Sequence, residues 1–207
     1  KAQTLITTKI NPAYQKHHDW YVSSYAPKCA KVPGVSAQPD GAKYYEYRVR
    51  QMTTTQKTAD EIHNIGLSEV ARIKAEMEIV SKEAGFATRA AFKEELRTNP
   101  KYYAKTPEEL MEKVARMTKI IDGKMPDLFK KLPRLPYGIR EIPAETAEGT
   151  TTAYYNRGSP ESGISGTYYV NTSKLDQRPF WEIPALSVHE AVPGHHHQIS
   201  LQQELDM

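Results

Sequence analysis

Toward its C-terminal end the sequence reads His189-Glu190-Ala191-Val192-Pro193-Gly194-His195-His196-His197. Neutral imidazoles are good zinc ligands, and a neighbouring carboxylate can take a proton from metal-activated water. A His-Glu pair followed by further histidines therefore holds the parts of a hydrolytic metal centre. In the short form of such motifs, two histidines lie four residues apart on one helical face. Here the second histidine is six residues on (His195) or seven (His196). On an unbroken helix six residues rise about 9 Å and turn to another face, and seven rise more than about 10 Å. Neither pair could then share one ion through bonds of about 2.1 Å. Pro193-Gly194 offers a way round this. Proline removes a backbone donor and glycine accepts unusual dihedrals, so the pair can loop out two residues and return His195 to an ordinary ligand position. His189 and His195 are the expected ligands, with His196 as the substitute, and Glu190 is the expected general base. His197 is expected to be exposed or to stand behind the ligands. Glu204 and Asp206 are carried away from His189 by the helix that holds them.

The elements that must position these residues can be read from pattern. Asn11-Pro12 opens a helix over about 12–26, and the prolines and glycines of 27–42 read as loop. Alternation in Tyr44-Tyr45-Glu46-Tyr47-Arg48-Val49-Arg50 predicts a strand. Thr58 with Glu61 forms a capping box. Ile62, Ile65, Val70, Ile73, Met77 and Val80 then recur at helical spacing until Gly85, with Gly66 a place for a kink. Further helices are expected at 88–98 and 106–121, the latter reaching Phe129 after a break near Gly123. Short β-like runs at 138–142, 151–155 and 166–171 predict an antiparallel sheet. A helix over 178–192, a break at Pro193-Gly194 and a resumed helix from His195 complete the reading. Ile199, Leu201 and Leu205 are the apolar positions of that last helix. A strand directly upstream of a His-Glu helix is placed to line a cleft and bind an extended peptide by strand addition.

Other side chains suit supporting roles. Tyr168, Tyr169 and Asn171 are candidates to line the substrate strand. Tyr154 and Tyr155 carry phenols able to steady an oxyanion, and Tyr45, Arg48 and Arg50 could bind a substrate carboxylate. His63 reads as structural and His17-His18 as surface. The 158–163 stretch reads as a flap or a plain loop. Of 207 residues 39% are hydrophobic and 26% charged, with a net charge of +3. Lys and Arg are interspersed with Asp and Glu, which argues against nucleic acid as the partner. No apolar run reaches the roughly 18 residues of a membrane span. Cys29 is the single cysteine and can make no internal disulfide. No charged-then-apolar leader follows Lys1.

The string His189 to Gln198 resembles the signature of the DUF885 family, bacterial proteins related to the gluzincin metallopeptidases. Asp40-Gly41 with Tyr44-Tyr45, Thr53-Thr54 and the run Glu61-Ile62-His63-Asn64-Ile65-Gly66-Leu67-Ser68-Glu69-Val70 are similar to the family's middle region. Tyr168-Tyr169-Val170-Asn171 is similar to the segment before its zinc helix. The resemblance implies a mostly helical peptidase-like fold, zinc held by His189 and His195, and Glu190 as the catalytic glutamate. It also implies a third ligand, a glutamate in a segment resembling Glu-Gly-Trp-Ala, which residues 1–207 do not contain. The zinc site is thus expected to be completed beyond residue 207, with this chain alone inactive. Family members are often exported or lipid-anchored, which implies a periplasmic or cell-envelope location.

The expected architecture is mainly α with a small antiparallel sheet (α+β) and gluzincin-like, incomplete at the C-terminus. It divides into a helical region with one strand over 1–131 and a sheet plus zinc-motif helix over 132–207, within one continuous catalytic domain. The expected function is zinc-dependent hydrolysis of peptide bonds. The alternative is a non-catalytic metal- or protein-binding module on the same fold.

Overall fold

A computed structural model describes residues 1–205. The helices in chain order are α1 (Ala2–Leu5), α2 (Asn11–Trp20), α3 (Gly41–Thr53), α4 (Ala59–Glu83), α5 (Arg89–Thr98), α6 (Pro107–Asp122), α7 (Met125–Leu128), α8 (Ala144–Ala147), α9 (Ile183–Glu190) and α10 (His195–Gln202). The strands are β1 (Tyr137–Glu141), β2 (Ala153–Asn156) and β3 (Gly166–Val170). The chain separates into two compact units, Lys1–Val80 and Ser81–Met207.

The first unit is helical. Residues 44–50, expected as a strand, lie inside α3. A strand needs a ladder partner, and the first unit has no strand among the described residues. A helix bonds its own backbone, so α3 forms whatever the alternation of its side chains. Gly41 begins it at a close approach, because a Cβ there would collide with the Val35 carbonyl. The capping box before α4 is present: the Glu61 amide donates to Thr58 Oγ1 at 3.2 Å and the Thr58 amide to Glu61 Oε2 at 2.7 Å. Gly66 does not break α4, and Gly85 follows it at φ +88°. The α4 side chains Ile65, Val70, Ile73 and Met77 are exposed.

The second unit holds the core. Thr106 caps α6 by accepting the Glu109 amide at 3.1 Å. Leu110, Val114 and Thr118 then follow at four-residue steps along its buried face. Leu110 and Val114 join Tyr168 and Val170 of β3, Ala153 of β2, and Ile183 and Ala191 around α9 in one apolar cluster.

The sheet order is β1-β3-β2, with β1 parallel to β3 and β2 antiparallel to it. The sheet is thus mixed, where an antiparallel one was expected. The 157–165 return is short enough for a hairpin, whereas β1 sits on the far side of β3 and reaches it only in parallel. β3 is therefore the inner strand, hydrogen-bonded on both sides, with no edge to offer a peptide. Tyr168 is fully buried within it.

Asn171, just past β3, is also fully buried. Its Nδ2 faces the carbonyls of Ala147, Thr150 and Thr151 at 2.7, 3.1 and 3.0 Å. Its Oδ1 accepts from the Ser173 amide and hydroxyl at 2.9 and 2.7 Å. The amide is spent on the fold, which leaves it nothing to give a substrate. Asn171→Ala leaves those carbonyls unpaired and should cost about 3 kcal/mol, a fall in Tm of about 6–12 °C by thermal unfolding.

Candidate metal centre

α9 begins with Pro184 in its first turn and turns Ile183, Ser187 and Glu190 inward at steps of four and three residues. His189, one position before Glu190, therefore stands on the outer side. The helix is shorter than the expected 178–192: it starts at Ile183 and ends at Glu190, and the Ala191–Gly194 turn carries the expected break. The Gly194 amide donates to the Val188 carbonyl six residues back at 2.9 Å, and the His196 amide to Ala191 five residues back at 3.1 Å. These turns are wider than the α-helical one, so they absorb the extra residues before α10 begins. Gly194 is required for this, because a Cβ there would run into the carbonyl oxygens of His189 and Val188.

The break brings His195 back over α9. The rings of His189 and His195 meet edge to face with centroids 4.7 Å apart. Glu190 Oε1 is 4.0 Å from His189 Nε2, and Oε2 is 3.9 Å from His195 Nε2. One ligand atom from each of the three lies within 4.8 Å of the others, which makes His189, Glu190 and His195 a cluster able to hold a metal ion. Both histidines are exposed and the carboxylate is 6% exposed. Glu190 Oε2 is buried without a hydrogen-bond partner among the described residues. A buried carboxylate oxygen left bare is costly, and a cation beside it would remove that cost.

His196, the substitute ligand, belongs to a different set. It is 2% exposed, and its Nδ1 lies 2.9 Å from the Tyr155 hydroxyl and 3.3 Å from Ser200 Oγ. Its ring packs on Tyr137 at 4.8 Å, and the Tyr137 phenol donates to Asp122 at 2.7 Å. Burial holds its pKa below the usual imidazole value. His197 is buried against Phe129, with ring centroids 4.6 Å apart. Gly166 lets Tyr155 and His196 approach, since a Cβ there would strike both. Tyr155 also stacks toward His195 at 6.5 Å.

The remaining candidates fall elsewhere. Tyr169 is half-buried and stacks on Tyr154 at 5.0 Å. Arg50 is a helical residue of the first unit, not a strand residue. Glu204 accepts the Arg134 amide at 2.7 Å and pairs with Lys131 at 3.6 Å, so it fastens the chain before β1 and is no ligand. Asp206 lies outside the described residues. The 158–163 stretch is a closed turn, sealed by Ser159 and Ile164 exchanging backbone bonds of 2.8 and 2.9 Å. Sequence reasoning missed the buried Ser187 and the way Tyr155 holds His196. Ser187 was reachable in principle, because it sits three residues before Glu190 and so shares its helical face. The Tyr155 pairing depends on how the sheet packs against α10, which no local pattern encodes.

Among the described residues no helix is long and apolar enough to cross a membrane. No curated protein matches the chain. The sequence model of the family described as "Bacterial protein of unknown function (DUF885)" matches residues 1–207. The crystal structure of a "putative lipoprotein" from Colwellia psychrerythraea is similar, with 27% identity and a TM-score of 0.82 over 96% of this chain and 35% of that one. The chain thus spans about a third of that protein's length.

Proposed function

Starting from the fact that the chain belongs to the DUF885 family, we propose that it carries the metal centre of a zinc-dependent peptidase, with His189 and His195 as ligands and Glu190 as general base. The observation that carries this reading is the return of His195 to His189 across the helix break, with a buried carboxylate between them. Two imidazoles suit zinc and leave Glu190 free as the base, so a third protein ligand would have to come from elsewhere than the described residues. Zinc held there would polarise a carbonyl and lower the pKa of water.

The chain's own residues do the rest. Glu190 accepts the proton of the attacking water at a carboxylate oxygen and passes it to the departing amine nitrogen. Its burial keeps bulk water from competing for that proton. Because β3 is interior, an extended peptide would add instead along the edge strand β2, whose Tyr155 faces His195. The solved relative described as a "putative lipoprotein" supports a cell-envelope location.

A second reading rests on Glu190 lying at ligand spacing itself. If it binds the metal through both oxygens, the site holds an ion without a base and the protein is a metal-binding module. Metal content by plasma mass spectrometry, after dialysis against a weak chelator, tests the zinc reading on the longest natural form. Near-stoichiometric zinc is expected, with affinity reduced at least about 100-fold by His195→Ala. Absence of zinc would refute the proposal.

A further inference from the structure

His195 is exposed, so its own packing fixes it weakly and its place follows from the backbone that carries it. The next residue is the opposite case. His196 is buried and is gripped from several elements. The Tyr155 hydroxyl of β2 lies 2.9 Å from its Nδ1, and Ser200 Oγ of its own helix lies 3.3 Å from the same atom. The Tyr137 ring of β1 packs against it with centroids 4.8 Å apart. Tyr155 is in register with Tyr168 across β2 and β3, so the two side chains share one face of the sheet. Gly166 comes two residues before Tyr168 and lies on that face too, where its missing Cβ leaves the room in which Tyr155 and His196 meet. Of the two hydrogen bonds at Nδ1, the Ser200 one stays within α10. The Tyr155 one crosses from the sheet to the first turn of that helix.

We infer that Tyr155 is a positioning residue for the metal centre: through His196 it fixes the first turn of α10, and with it holds His195 beside His189. It acts through the imidazole of a neighbour, and the role needs no contact with substrate. Residues that hold a ligand from behind commonly change metal affinity by about 10–100-fold when removed. Tyr155 stands one step further back, which places it at the low end.

The inference rests on His195 being a ligand, and zinc affinity separates the two. The measurement is competition with a chelator, on the longest natural form, well below the unfolding temperature. Tyr155→Phe keeps the ring and loses only the hydroxyl, and should weaken zinc binding about 10-fold. Ser200→Ala removes the other partner of the same nitrogen but no tie to the sheet, and should leave affinity unchanged. His196→Asn sets an amide where Nδ1 stands and should keep most of the affinity, whereas His196→Leu should lose as much as Tyr155→Phe. A bond that serves stability alone would lower Tm in Tyr155→Phe and leave the zinc affinity of the folded protein at the wild-type value. That result overturns the role, as do equal losses of affinity in Tyr155→Phe and Ser200→Ala. Where Tyr155→Phe does not fold, the two His196 variants decide, and equal affinities in them overturn the role. If His195→Ala loses zinc while Tyr155→Phe binds it like wild type, the positioning falls and the ligand stands. If His195→Ala keeps its zinc, the ligand reading itself falls.

Discussion

Glu190→Gln in the longest natural form should keep zinc bound and lower kcat on peptide substrates by about 100- to 10,000-fold, with KM little changed. The amide has the size and shape of the carboxylate but cannot accept a proton, so the change removes chemistry and leaves packing in place. Glu190 is almost wholly buried, while His189 and His195 are exposed. The Glu190 oxygens lie about 4 Å from the ligand nitrogens of both, and an amide of the same size fills the same space and keeps the two rings in place. Zinc content and steady-state kinetics on one preparation decide the matter. Turnover at wild-type rate would contradict the role of base. Loss of zinc along with turnover would favour Glu190 as a ligand and the non-catalytic reading.

Gly194→Ala should be the most damaging single-methyl change in the second unit. The added Cβ has no room against the His189 and Val188 carbonyls, and both belong to backbone that cannot swing aside. Opening the break to admit it moves His195 away from His189. The expected cost is about 3 kcal/mol, a fall in Tm of about 6–12 °C, together with loss of zinc binding. Gly149→Ala is the control: nothing lies within 4 Å of a Cβ there, and stability should hold. A Gly194→Ala protein that unfolds normally and keeps its zinc would show that the break tolerates a side chain.

The parts of the fold visible in the sequence are those set by local chemistry. Thr58 with Glu61 and Thr106 with Glu109 place helix starts because the capping partners are three residues apart. Pro193-Gly194 announces the break because six-residue spacing makes no sense without one. What was hidden depends on partners distant in sequence. Residues 44–50 alternate like a strand, yet the first unit has no second strand among the described residues to pair with them. β1 pairs with β3 across the whole of β2, so its parallel direction has no local signature. Asn171 looked like a binding residue because polar residues beside a strand often are. Its contacts with the carbonyls of the 147–151 loop and with Ser173 exist only once the chain has closed on itself. His196 and His195 are indistinguishable by type, and only their surroundings in the fold separate them, His196 buried against Tyr155, Ser200 and Tyr137 and His195 exposed beside His189.

That contact also has a mechanical consequence. Tyr155 stands on the outer strand of the sheet and His196 on the first turn of α10, so one short bond ties the strand to the helix next to a ligand. A push on β2 is delivered one residue from His195. The sheet edge and the start of α10 are therefore coupled through a single contact, and under the proposed function a peptide added along β2 would bear on the zinc site through it.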